Sequence, residues 1–249
     1  MRSMPRDLDS LQRPRSCRAR RHQAPPQRPL MATPLEAGVP CPYPSEVTMR
    51  IDHTAFFNGY RSAYGKLTQG VVSGLELLGR NMEVDHDLKN LQWAAYMLAT
   101  VKHECADTWQ PIIERGPRSY FDKYETGTPI GRRLGNAEPG DGWRYRGRGY
   151  VQITGRANYA RLTQVLKLGP TADLVLDPEQ ALRPAIAYQI MSVGMRKGLF
   201  TGKRLADYIG PGGCDYKNAR RIINGVDQAA RIAQYATTIE AILLGALVP

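Results

Sequence analysis

Apolar residues recur at helical spacing at Leu91, Ala94, Ala95, Leu98 and Val101, which predicts a helix over residues 87–104 with one buried face. His103 and Glu104 fall at its C-terminal end, where a helix can deliver side chains into a cleft while its body stays in the core. A second run, Ile232, Ala236, Ile239, Leu243 and Leu247, predicts a C-terminal core helix. Between them the pattern changes twice. Residues 115–141 dissolve into Gly, Pro, Arg and Asp and read as loop. Residues 143–154 alternate aromatic and β-branched with polar positions, interrupted by glycines, and predict a short hairpin or irregular strand pair. Asp177, Pro178 and Glu179 carry the signature of a helix start. No internal repeat is visible, and the sum is an α+β, mostly α-helical domain with one small β element.

Composition divides the chain. The first 48 residues hold nine of its 18 prolines and eight arginines against four acids, too little apolar material for a core, so residues 1–48 are expected to be a disordered basic tail. Met31 and Met49 are possible internal starts, so part of the tail is open to being a gene-model extension. Residues 49–249 are long enough for one packed domain. Of the formal net charge of +11, the tail contributes +4 and the domain keeps +7, which favours polyanionic surroundings, whether nucleic acid, an anionic membrane or the acidic polymers of a bacterial wall. No stretch is apolar enough for a membrane span. The N-terminal arginines are followed by prolines and glutamines instead of an apolar segment, so synthesis in the cytoplasm without a classical signal peptide is expected.

Of the four cysteines, Cys105 and Cys214 lie in the domain; neither a C-x-x-C pair nor a His at ligand spacing accompanies them, so no metal or cofactor is expected. Cys105 beside His103 is a weak nucleophile candidate, because a base must face its thiol across a cleft. Glu104 and Glu114 are a different matter. Hydrolysis of a glycosidic bond needs one carboxyl group to protonate the leaving oxygen and another to activate water or attack the sugar. On spacing alone the pair is weak, since Asp122, Glu125 and Asp141 are also available.

The ordered motifs add to that reading. His103-Glu104, Glu114-Arg115, the run from Tyr145 through Gly147, Gly149, Gln152 and Thr154 to Asn158-Tyr159, the loop Leu134-Gly135-Asn136 to Asp141-Gly142, and Ile223-Asn224-Gly225 are together similar to glycoside hydrolase family 19. They resemble its phage and bacterial endolysin members more than the plant chitinases. The resemblance implies a lysozyme-like, two-lobed domain with the β element beside the catalytic cleft. It implies that Glu104 is the general acid and Glu114 the general base of an inverting hydrolase, with Glu125 as an understudy. Thr154 would position the water. His103, Tyr145, Gln152, Asn158 and Asn224 would bind sugar, and Arg231 would pair with the catalytic carboxylates. Gln152 and Asn158 have a plainer reading, satisfying backbone groups in a tight turn. Arg146 is most simply a solvated charge, and Arg148, between two glycines, is expected to hold the loop. Departures from the family include Gln228 where an acid is expected and Ala157 where a tyrosine is common.

The expected substrate is the glycan of peptidoglycan, with chitin as the near alternative, acted on by a monomer with no nucleic-acid partner and no stable membrane insertion. An inactive wall-binding or virion module is the alternative of another class. The arginines at 144, 146 and 148 beside Trp143, Tyr145 and Tyr150 imitate a nucleic-acid surface, but the sugar-site motif accounts for the same residues.

Overall fold

Helix α3, Leu91–Glu104, is the centre of the molecule: ten of its 14 residues are buried, so the one-faced helix of the sequence pattern is in fact covered nearly all round. The computed structural model describes residues 49–88 and 90–248; the basic tail assigned to residues 1–48 lies outside them. Helix α3 starts at Leu91, later than expected, because the Asn90 side chain accepts the amides of Gln92 and Trp93 and caps it there. The preceding residues turn instead, with the Asp85 carboxylate taking hydrogen bonds from Tyr188 and Ser192.

Two helices precede it, α1 (His53–Tyr64, capped by Asp52) and α2 (Gln69–Glu83, capped by Thr68). Four short or medium helices follow: α4 (Pro129–Arg133), α5 (Asp141–Arg144), α6 (Arg156–Val165) and α7 (Pro184–Lys197). The last, α8 (Ala229–Leu244), runs along α3 and supplies its largest interface. Leu247, expected in that helix, lies past its end and pairs with Ile51 in an isolated antiparallel bridge. Asp177 caps a 3-10 turn, Pro178–Leu182, and the long helix begins afterwards at Pro184. One core cluster joins all the long helices.

The β content is small. Strand β1 (Ile112–Ile113) pairs antiparallel with β2 (Arg148–Gly149), Ile112 opposite Gly149 and Ile113 opposite Arg148. Strands β3 (Ile209–Gly210) and β4 (Gly213–Cys214) form a separate hairpin. The pairing expected inside 143–154 is thus reduced to a single bridge, Arg148 with Ile153, and the main partner of β2 comes from earlier in the chain. The 115–141 loop is not irregular throughout either: it contains a 3-10 segment, Arg118–Tyr124, and α4. The mostly helical α+β class is as expected.

The turn leaving α3 has an unusual backbone. Ala106, Asp107 and Trp109 all adopt positive φ (49°, 64° and 59°), a region side chains disfavour. Surrounding contacts hold it: Lys102 and Asp107 form an ion pair, Asp107 N–H donates to the Lys102 carbonyl, and Trp109 is buried with its ring edge-on to Tyr60. Helix α2 closes against this turn at Gly74, where a Cβ would lie 2.4 Å from the Trp109 carbonyl oxygen. Gly74→Ala should therefore lower the unfolding free energy by about 1–3 kcal/mol in a denaturant titration; an unchanged midpoint would show that the turn is free to yield.

Candidate active site

The end of α3 meets the small sheet through Cys105, whose thiol lies 3.7 Å from the Tyr150 carbonyl oxygen and close to the Ile112 backbone. Glu104 therefore sits at the helix end and Glu114 one residue beyond β1, on elements that touch. Both glutamates are half-buried.

Their surroundings differ. Glu104 Oε1 accepts a hydrogen bond from Arg220 Nη1 at 2.5 Å, and the Arg220 side chain is only 4% exposed. Arg220 Nε donates to the Asp227 carbonyl oxygen at 3.1 Å, which fixes the guanidinium in place. The neighbour of Glu104 is thus a buried charge. Glu114 is gripped by backbone: its amide donates to the Gly147 carbonyl at 2.8 Å, and the Gly147 amide donates to Oε2 at 3.0 Å. The Tyr124 hydroxyl donates to Oε1 at 3.2 Å. A Cβ at position 147 would stand 2.8 Å from Gln152 Oε1 and 3.2 Å from Glu114 Oε2, so only glycine allows this approach.

Glu125, the understudy, is engaged elsewhere: Oε2 accepts the Gly140 amide at 2.8 Å and secures the loop before α5. Asp141 does the same from the other side. Its carboxylate accepts the amides of Ala137 and Glu138 and a two-pronged pair of hydrogen bonds from Arg156, both at 2.7 Å. Arg148 is almost fully buried and binds Glu179, the carbonyls of Arg144 and Arg146, and Tyr159, which is the loop-holding role expected of it. Arg146 is not simply solvated; its guanidinium stacks 3.9 Å above the Trp143 ring.

Several residues selected from sequence serve the frame. Tyr145 is a correction: it is buried to 1% exposure and its hydroxyl is spent on the Val175 carbonyl, so it is core and not cleft wall. The Gln152 side-chain amide donates to the carbonyls of Ile112 and Gly149, and Asn158 donates to the Thr154 carbonyl, the plainer reading of both. Thr154 is half-buried and its hydroxyl donates to the Gln152 carbonyl. Asn224 is exposed and accepts the amide of Gly225. Arg231 is exposed and forms no ion pair with either glutamate; Arg220 holds that position instead. Arg231 does lie near His103, whose pKa is lowered by burial, opposed by Glu104 and reinforced by Arg220 and Arg231. Burial, with Glu104 adding to it, pushes the Cys105 thiol up to about 12, which leaves no thiolate to act as a nucleophile. Among the described residues no group of three His, Cys, Asp or Glu is placed to hold a metal.

No family model matches the chain. A glycosyl hydrolase family 19 domain-containing protein of Haemophilus influenzae is 67% identical over 30 residues, 11% of this chain. The chain is recognisably similar to family 19. It spans about 15% of the length of that curated relative. Among solved structures, chitinase C from Streptomyces griseus HUT6037 is similar at 18% identity, covering 78% of this chain and 92% of its own, with a TM-score of 0.49. A bacterial family 19 chitinase is similar at 18% identity over 77% and 89% of the two chains, with a TM-score of 0.30.

The family 19 resemblance pointed to Arg231 and passed over Arg220 and Tyr124. Arg220 sits in a 3-10 segment, Asn218–Ile222, between buried Ala219 and Ile222, but the exposed Arg221 shares that interval, so the apolar flanks do not single out Arg220. Because Arg220 is buried and Arg231 is not, Arg220→Ala should cost about 2–4 kcal/mol of stability and Arg231→Ala less than about 0.5 kcal/mol. Equal costs in thermal or denaturant unfolding would refute the assignment of the pair.

Asp141 yields a pH dependence. Burial raises its pKa, but Arg156 and the amides of Glu138 and Ala137 outweigh burial and hold it below the ordinary carboxylate value. A folded value below the unfolded one, about 3.9, means that the stabilisation is complete above that pH and is lost as pH falls through the folded value. The stability gap between the protein and Asp141→Asn should be widest at neutral pH and shrink below about pH 4. A gap that stays constant down to pH 2 would show that the ionised form does not hold the loop.

Proposed function

We propose that this chain is a glycoside hydrolase that cleaves β-1,4 bonds of an N-acetylhexosamine polymer, with Glu104 as general acid and Glu114 as general base. The observation that carries this reading is the pair itself: two half-buried carboxylates on adjoining elements, each held in a fixed but different environment. Arg220 occupies Oε1 of Glu104, and Oε2 has no hydrogen-bond partner among the described residues, so Oε2 is the oxygen from which a proton would pass to the leaving sugar oxygen. Both oxygens of Glu114 accept hydrogen bonds, from Gly147 and Tyr124. That suits a group that takes a proton from water while staying in place. Thr154, on the same turn, is the hydroxyl assigned to orient that water. Water attacking from the face opposite the leaving group inverts the anomeric carbon.

The polymer we favour is the glycan of peptidoglycan, because the domain is basic and that polymer is acidic. The enzyme would be made in the cytoplasm and reach the wall on release. Chitin is the neutral alternative.

Glu104→Gln and Glu114→Gln should each lower the cleavage rate about 10²–10⁴-fold while melting behaviour is retained. Proton NMR of the first products should show the α-anomer from a β-linked substrate. Near-normal activity of either variant would defeat the acid/base assignment, and β-anomer appearing first would replace inversion by retention. Release of soluble sugars from chitin but not from peptidoglycan would move the substrate to the neutral polymer.

A further inference from the structure

The cations of this domain are held in different ways. Lys102, Arg148, Arg156, Arg196, Arg204 and Arg220 are each committed to a carboxylate. Arg118, Lys123 and Arg146, like Arg61 and Arg144, form no ion pair among the described residues, although Arg146 feels the charges of Glu179 and Glu114. They rest on aromatic rings instead. Lys123 Nζ lies 3.4 Å from the centroid of Tyr120 and 4.7 Å from that of Tyr124. Arg146 lies 3.9 Å and Arg118 5.7 Å from the centroid of Trp143. The rings themselves form a connected set through Phe121, with Tyr120, Tyr124 and Trp143 all in contact with it.

This set adjoins Glu114. Tyr124 donates to the Glu114 carboxylate, and Arg146 lies within electrostatic reach of it. An aromatic face orients a cation without cancelling its charge, and although Arg146 gives one N–H to the Trp143 carbonyl, its other donors stay open. Side chains already ordered in this way lose little freedom when an anion arrives. Asp122, exposed on the same segment, is the one nearby acid that the site has not engaged, and it reduces the local positive charge without pairing to these three groups.

We propose that Arg118, Lys123 and Arg146 form a subsite beside Glu114 for a carboxylate carried on a side group of the glycan. Such a subsite gains nothing from an uncharged polymer, so it selects an acidic amino-sugar polymer over a neutral one. The proposal rests on the reading of the chain as a glycan hydrolase and specifies where its substrate choice is made.

The test compares one polymer in two charge states: peptidoglycan, and the same peptidoglycan with its carboxylates converted to amides. The full chain should cleave the native form with a kcat/KM about tenfold higher, as a few partly exposed charge pairs allow. That preference should shrink as salt rises, because added ions screen the pairing. In the double variant Arg118→Gln, Lys123→Gln the ratio between the two forms should fall towards one, mostly through KM. Equal rates on the two forms by the unaltered protein would overturn the subsite while leaving the hydrolase reading intact; cleavage of neither form would defeat the hydrolase reading itself. If the double variant slows both forms equally and moves the acidic limb of the pH profile, the cations serve Glu114 and the subsite is refuted. Retention of duplex DNA with a steep salt slope, and no discrimination between the two glycans, would also overturn it.

Discussion

Burial of α3 on nearly every side is the constraint from which the rest follows. A helix with so little solvent-facing side needs its polar side chains answered individually, and all but the Tyr96 hydroxyl, buried without a hydrogen-bond partner, are. Gln92 donates to Glu240 of α8, Thr100 returns its hydroxyl to the Tyr96 carbonyl, and Lys102 sits over the Tyr64 ring at 4.0 Å while pairing with Asp107. The cover opens at the two ends, over Leu91 and Trp93 at the first turn and over His103 and Glu104 at the last. The position of Glu104 is therefore set by the whole length of the helix and by the strained turn after it.

Glu114 is placed by a different means. A two-residue strand contributes little stability by itself. What fixes it is the Arg148 side chain, which binds two carbonyls of its own loop, a tyrosine hydroxyl and Glu179, and so makes the Gly147–Gly149 backbone rigid enough to grip a neighbouring carboxylate. The Asn136 and Asp141 side chains, bound to Arg156, close the loop from behind. One glutamate is carried by a packed helix and the other by a polar frame, and the two supports meet at Cys105.

The parts legible in the sequence are those whose signal is local. The periodicity of α3 and α8, the cap at Asp177, the glycines around Arg148 and the glutamates themselves are written in adjacent residues. What was not legible depends on distant partners. Nothing near Tyr145 shows that Val175 will take its hydroxyl, and nothing near Arg220 shows that Glu104 will meet it, so a resemblance in spacing favoured Arg231. The strand pairing of 112–113 with 148–149 was hidden for the same reason: two isoleucines and an Arg-Gly pair carry no pattern until the chain folds back. The β-region alternation in 143–154 misled in part because Asp141–Arg144 closes a helical turn through Gly140, a glycine in the left-handed conformation.

The thiol next to Glu104 gives this architecture a kinetic reading. Cys105 is wholly shielded, and its pKa, raised to about 12, keeps it in the unreactive protonated form while the domain is closed. A reagent in solution can meet it only when the end of α3 parts from the small sheet. Modification of that sulfur therefore tracks the opening of the seam between the two glutamates, its open fraction when reclosing outpaces the reagent and its opening rate when the reagent is faster, so the chain carries its own gauge of the integrity of the pair.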